Sequence, residues 1–228
     1  MTTIGRGFAQ GMKGKFITLE GLDGCGKSTQ LELLARALKE RGFDTVATRE
    51  PGGTPLGERM RAVLLANESK DLTPEAELFL MAADRAQDVA QVIRPALESG
   101  RIVISDRYAD STVAFQGYGR GLDLELTNQV NRLATGGLSP DLTIVFKIEP
   151  AEARARLEAR YAESSGGSFE VGMSRIDDEH AAFHERVSEG YCRIASADPE
   201  RVQVVDASGS PEETHQRVLE LVLRVVSS

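Results

Sequence analysis

The sequence predicts a three-layer α/β domain in which a five-stranded parallel sheet is flanked by helices. Two observations carry this expectation. Five short apolar runs of strand length alternate with helix-period segments along the chain, and the first run passes through a glycine-rich turn directly into a helix. At 228 residues the chain is long enough for one well-buried α/β domain and short for two. Residues 15–228 are assigned to that domain, and the small, polar residues 1–14 to a loose tail.

The first run is Phe16-Ile17-Thr18-Leu19, and the turn after it is Gly21-Leu22-Asp23-Gly24-Cys25-Gly26-Lys27-Ser28-Thr29. This is G-x-x-x-x-G-K-S between a strand and a helix, the signature of the P-loop NTPase fold. Backbone N–H groups can curl round a phosphate there because no Cβ blocks the approach and positive φ is tolerated. The helix N-terminus adds unpaired N–H groups and partial positive charge. Gly21 to Thr29 are therefore assigned to binding ATP. Lys27 is expected to reach the β- and γ-phosphates, and the Ser28 hydroxyl to ligate Mg²⁺.

Leu31, Leu34, Ala35 and Leu38 recur at helical spacing, and Gly42 supplies the stop. A strand over Thr45 to Thr48 runs into Arg49-Glu50-Pro51-Gly52-Gly53, and residues 55–66 form a helix. Thr73-Pro74-Glu75 is an N-cap, N1 proline and acidic first turn for a long helix towards Glu98, which Pro95 should disturb and Gly100 should stop. Ile102-Val103-Ile104 is a buried strand with Asp106 at its C-terminal end, where a Mg²⁺-associated carboxylate facing a phosphate loop belongs. The glycine-studded residues 110–121 connect it to a helix ending near Ala134. Leu142 to Ile148 is the next strand, and Pro150 begins a helix carrying Arg154, Arg156 and Arg160. Residues 164–174 are flexible in composition, and helix returns from about Asp177. Val202 to Val205 is the last strand, and Ser210-Pro211-Glu212-Glu213 is a capping box opening the final helix.

The net charge of −8 argues against a sequence-independent grip on nucleic acid or an anionic membrane. A phosphate ligand must then be held by local N–H groups and a few arginines. Two cysteines, Cys25 and Cys192, make no disulfide framework, and no apolar run is long enough to span a bilayer. The expected compartment is the cytoplasm. Cys25 needs no role as a nucleophile, and His180 and His184, although at i,i+4 spacing, lack a third candidate zinc ligand nearby. Arg49, Arg85, Arg107, Arg156, Arg160 and Arg175 mostly follow strands or lie in flexible segments. Together with the loop they point to a second phosphate group, that of a small phosphorylated acceptor.

Thr48-Arg49-Glu50-Pro51-Gly52-Gly53, Ala82-Ala83-Asp84-Arg85-Ala86-Gln87, Asp106-Arg107-Tyr108 with Asp110-Ser111 and Ala114-Phe115-Gln116-Gly117, and Ser174-Arg175-Ile176-Asp177 together resemble motifs of the bacterial thymidylate kinases. The resemblance runs from about Lys15 to the C-terminus. It implies a Mg²⁺-dependent transfer of the ATP γ-phosphoryl to dTMP, a mobile lid over approximately 154–177, and a homodimer. It also implies that Asp23 accepts from the 3′-hydroxyl of the acceptor sugar, that Arg49 and Arg107 hold the acceptor phosphate, and that Arg85 donates to a thymine carbonyl. Ser111, Thr112 and Gln116 then line the base and sugar pocket, with Phe115 as a wall against the sugar. Met81 stands where relatives carry an aromatic ring on thymine. It lies on the base itself, or it is core and Phe79 supplies the ring. Gly24 stands where some members carry a loop arginine, so Arg156, Arg160 or Arg175 is expected to supply that charge from the lid. Glu50 is expected to position Arg49 or a metal-bound water, or to serve the turn. The alternatives are a kinase of the same fold for another acceptor such as dUMP, and a nucleotide-binding switch that hydrolyses ATP.

Overall fold

The computed structural model describes residues 14–164 and 174–227. The tail expected over residues 1–14, apart from Gly14, and residues 165–173 of the expected lid lie outside the described residues. Strands β1 (Phe16–Gly21), β2 (Thr45–Arg49), β3 (Ile102–Asp106), β4 (Leu142–Lys147) and β5 (Val202–Asp206) form one sheet in the order β2-β3-β1-β4-β5. Every pairing is parallel, as βαβ connections require. The helices are α1 (Lys27–Glu40), α2 (Pro55–Leu65), α3 (Pro74–Asp88), α4 (Arg94–Glu98), α5 (Ala109–Thr112), α6 (Leu124–Thr135), α7 (Pro150–Ser164), α8 (Ala181–Ala197) and α9 (Pro211–Val226).

The sheet is covered on both faces, and its wholly buried side chains are apolar apart from Thr18, Glu20, Ser105 and Thr143. Ile17, Leu19, Ile104, Ile144 and Phe146 pack with α1, α8 and α9 through Leu34, Leu38, Val187, Val218 and Val222. Phe16, Val103 and Tyr108 pack with Val89 and Ile93 in a second cluster. Register decides where the chemistry goes. Leu19 pairs with Asp106 and Asp106 with Arg49, so the C-terminal ends of β1, β3 and β2 bring the glycine loop, Asp106 and Arg49 side by side.

The local signals hold at most element ends. Gly42 ends α1 at φ 87°, with the Gly42 and Phe43 amides returning to the Lys39 and Leu38 carbonyls. Thr73 caps α3, and Ser210 with Glu213 forms the full capping box of α9. Three expectations change. The helix over 74–98 forms, but a π turn at Val89–Ile93 divides it and puts Pro95 in the first turn of α4, where its ring and missing N–H are accommodated. Residues 110–121 are largely helical, α5 continuing as a π segment at Val113–Gly119. Its glycines serve packing: a Cβ on Gly119 would fall 2.7 Å from the Phe183 ring and 2.9 Å from Val187 of α8. Ser174 and Asp177 cap each other around a separate turn, the Asp177 carboxylate accepting from the Ser174 amide and hydroxyl and the Asp177 amide donating to Ser174 Oγ, and helix α8 itself begins at Ala181.

Candidate active site

The glycine loop leaves β1 at Gly21 and enters α1 through Gly26 at φ 97°. Lys27 is 5% exposed, and its Nζ donates to the carbonyls of Gly21 (3.1 Å) and Leu22 (2.9 Å), with Asp23 Oδ1 at 3.7 Å. Ser28 Oγ donates to Asp106 Oδ2 at 3.0 Å, so the two residues expected at the metal meet directly although 78 positions apart. Gly24 at φ 85° is in backbone contact with α7: a Cβ there would fall 2.1 Å from the Ala153 carbonyl oxygen. Burial pushes the Cys25 thiol above its ordinary range, which keeps it inert.

Two cavities open beside the loop. The first lies along Gly24, Gly26, Lys27, Ser28, Thr29, Arg49 and Asp106. The second is lined by Met81, Arg85, Ser111, Thr112, Phe115 and Gln116, the residues expected around a base and sugar, with Tyr161 and Asp177 from the lid side. Asp23, Glu50, Arg61, Arg107 and Arg160 line both and form their common rim.

Arg107 is held tightly at that rim. Its backbone is left-handed at φ 75°, an uncommon conformation for a side-chain-bearing residue, with the Ser105 hydroxyl donating to its carbonyl at 2.6 Å. Its guanidinium donates to Asp23 Oδ1 (2.8 Å), Ser111 Oγ (3.0 Å) and Tyr191 Oη (3.2 Å), and lies over the Phe115 ring at 4.8 Å. Burial opposes ionisation of Asp23, but Arg107 and then Lys27 outweigh it and hold the carboxyl well below the usual range. Behind Arg107 the wholly buried Glu20 accepts from the Tyr108 amide, Ser111 Oγ and Tyr191 Oη.

Arg85 is 1% exposed. Its Nε donates to Glu50 Oε2 (2.7 Å), Nη1 to Thr112 Oγ1 (2.9 Å) and Asn131 Oδ1 (2.6 Å), and Nη2 to the Tyr108 carbonyl (3.0 Å). Among the described residues, one Nη2 N–H of its five donors is left over. Glu50 thus orients Arg85, whereas Arg49 is paired on both oxygens of Glu58 at 3.0 Å. Burial, with Asp88 and Asp84 nearby, pushes the Glu50 carboxyl up to about 8 against the pull of Arg85. Of the two candidates to lie on the base, Met81 lines the cavity and Phe79 is 59% exposed on another face of α3.

The three lid-side arginines separate. Arg160 is at the common rim. Arg156 donates to Glu152 and to the Ala207 and Ser208 carbonyls. Arg175, 7% exposed, turns inward to the Leu64 carbonyl and to Glu77 Oε2 at 2.6 Å. Neither of those two lines a cavity. Sequence reasoning missed Glu20, Arg61, Glu77 and Tyr191. Only Glu20 carried a signal, as an acid ending an otherwise apolar strand. For Arg61, burial and then the charge of Arg49 hold the guanidinium pKa below its ordinary value.

The chain matches the family model described as Thymidylate kinase over residues 19–218. It is 50% identical over 213 residues to a thymidylate kinase of Nitratidesulfovibrio vulgaris, covering 93% of this chain and 98% of that one. It is 46% identical to a thymidylate kinase of an Exiguobacterium species over 93% of this chain and 95% of that one. Among solved structures, the thymidylate kinase from Ehrlichia chaffeensis superposes with a TM-score of 0.73 at 32% identity, covering 92% of this chain and 98% of that one.

Proposed function

The chain belongs to the thymidylate kinase family and transfers the γ-phosphoryl of ATP to dTMP to give dTDP and ADP, and we propose that its two joined cavities divide that reaction between donor and acceptor. The observation that carries this division is the common rim of Asp23, Arg61, Arg107 and Arg160. A phosphate held there from the acceptor side is adjacent to one cradled by the glycine loop, as in-line transfer requires.

On the donor side, the Gly21–Thr29 amides bind the ATP phosphates, and Lys27 exchanges its loop carbonyls for phosphate oxygens. Ser28 and Asp106 fit a magnesium ion. They are hard oxygen donors already facing each other at 3.0 Å, and so small a set of protein ligands suits a cation that takes most of its shell from water and phosphate. When bound, it neutralises charge on the phosphate oxygens. On the acceptor side, Arg107 holds the phosphate, Arg49 joins it from the donor cavity by leaving Glu58, and Asp23, kept ionised, accepts from the 3′-hydroxyl. The spare Arg85 N–H meets a thymine carbonyl, Met81 lies on the ring, and Phe115 closes the sugar side. Ser111 and Thr112 complete the pocket while orienting Arg107 and Arg85. A phosphate dianion beside Arg61 offsets both influences that depress its pKa. Arg160 is the lid arginine that meets the transferred phosphoryl, with Arg156 and Arg175 engaged elsewhere.

A coupled assay of ADP formation with a panel of nucleoside monophosphates tests the reading. Selective turnover of dTMP is expected, and acceptor-independent hydrolysis or preference for another acceptor, dUMP included, would overturn it. The enzyme works as a homodimer in the cytoplasm, where ATP is present and Cys25 and Cys192 stay as free thiols. The dimer is supported by α2, α3 and α6, which carry Leu56, Val63, Phe79, Leu124, Leu126 and Leu133, six of the seven exposed large hydrophobic residues among those described.

A further inference from the structure

Glu77 sits on α3 at 1% exposure, outside the cavities, with four donors on its carboxylate. Gln116 Nε2 donates to Oε1 at 2.7 Å. Arg120 donates from Nε to Oε1 (3.2 Å) and from Nη2 to Oε2 (3.0 Å), and Arg175 Nη2 donates to Oε2 at 2.6 Å. The two arginines are fixed in turn: Arg120 pairs with Glu179 and lies over the Phe183 ring, and Arg175 holds the Leu64 carbonyl. Two guanidinium groups keep Glu77 ionised in spite of its burial. An ionised carboxylate only accepts.

That asymmetry settles the direction of the Gln116 amide. Turned the other way, it would set a carbonyl oxygen against a buried carboxylate, so the NH₂ group must face Glu77. Gln116 lines the acceptor cavity, and its Oε1 is buried with no hydrogen-bond partner among the described residues. We propose that Glu77 is a positioning residue for base recognition: by holding Gln116 through its NH₂ group, it presents the amide carbonyl to the cavity as an obligate acceptor. The group such an acceptor selects is a ring N–H, which thymine carries at N3 and where cytosine has a lone pair. Arg85, an obligate donor, selects the neighbouring carbonyl, and the two together define a thymine-type edge. The inference rests on dTMP as the acceptor.

The experiment compares kcat/KM for dTMP and dCMP in the unaltered protein, Glu77→Gln and Glu77→Asp, with thermal midpoints measured alongside. Glu77→Gln, whose own amide can donate or accept, frees Gln116 to flip, and the dTMP-to-dCMP ratio is expected to fall by about tenfold or more, mainly through KM. Glu77→Asp keeps an acceptor-only group and is expected to retain more of the preference. A purely structural role would lower kcat/KM for both acceptors alike, so a folded Glu77→Gln variant with an unchanged ratio overturns the proposal. Should that variant not fold, the unaltered protein answers by NMR. The Gln116 side-chain NH₂ protons are expected to resist solvent exchange both free and with dTMP bound, and rapid exchange in either state overturns it. Failure of the unaltered protein to phosphorylate dTMP would instead refute the acceptor assignment itself.

Discussion

At the scale of single residues, charge and partner decide between arginines that look alike in the chain. Arg156, Arg160 and Arg175 all border the lid, but Arg160 alone of the three reaches the rim shared by both cavities. Arg160→Ala is therefore expected to lower kcat by about 10²–10³ with a small change in the KM for dTMP, the loss typical of a group that meets developing charge. Arg156→Ala should leave kcat within about threefold, because its contacts are to Glu152 and two carbonyls remote from the rim. Steady-state kinetics of the two variants checks both. Buried acids around Arg85 add a pH effect. Burial first, and the nearby Asp84 carboxylate, push Asp88 up to about 7, against a hydrogen bond from Thr48. Burial likewise lifts Asp84 to about 6 and Glu50 to about 8. These groups keep protons that the unfolded chain releases near pH 4, so their contribution is complete below that value and is lost as pH rises through about 6, 7 and 8. Unfolding free energy measured with urea should fall between about pH 4 and 8 and level off above that, and Asp88→Asn should flatten the part of the decline below about pH 7.

At the scale of elements, the loop and α7 constrain each other. The expectation that Gly24, by not being an arginine, transfers a charge to the lid acquires a steric counterpart, since the Ala153 carbonyl of α7 occupies the space of a Cβ at Gly24. Gly24→Ala therefore displaces α7 as well as straining a positive φ. A stability loss of about 1–3 kcal/mol in urea unfolding is expected, together with reduced kcat. Capping acts at a distance from the chemistry. Ser210 and Glu213 cap α9, and Gln30 of α1 donates to the Pro211 carbonyl at 2.8 Å, so α9 buttresses the helix that begins at the phosphate loop. Ser210→Ala should cost about 1 kcal/mol of stability while leaving the KM values for ATP and dTMP unchanged.

At the scale of the whole molecule, the strand order β2-β3-β1-β4-β5 puts β1 at the centre and gathers the loop, Asp106 and Arg49 at the C-terminal end of the sheet. The exposed apolar side chains of α2, α3 and α6 are the surface proposed to pair with a second copy. Sedimentation analysis is expected to give twice the 24.7 kDa of the chain. Leu133, 86% exposed, is the test position. Leu133→Glu should yield monomers with an unchanged thermal profile of secondary structure near neutral pH, and a monomeric unaltered protein would refute the dimer.

The sequence by itself determined the alternation of strand and helix, the phosphate loop with Lys27 and Ser28, the caps, and the placement of Asp106 and Arg107 at the C-terminal end of a strand. Each of these depends on hydrogen bonds and periodicities spanning a few neighbouring residues, and local chemistry is written locally. Arg85 and Gln116 were singled out because they stand within short family motifs, and Met81 because it lies one helical turn before Arg85. Tertiary structure decided which side chains meet across long separations. Arg175 reaches Glu77 over 98 positions, Tyr191 reaches Glu20 over 171, and Arg85 reaches Glu50 over 35. A buried charge takes whatever partner the packing brings within about 3 Å, because leaving it unpaired costs more than almost any local preference. No spacing along the chain records that choice, and so Arg175 became an anchor for Glu77 while Glu50 went to Arg85.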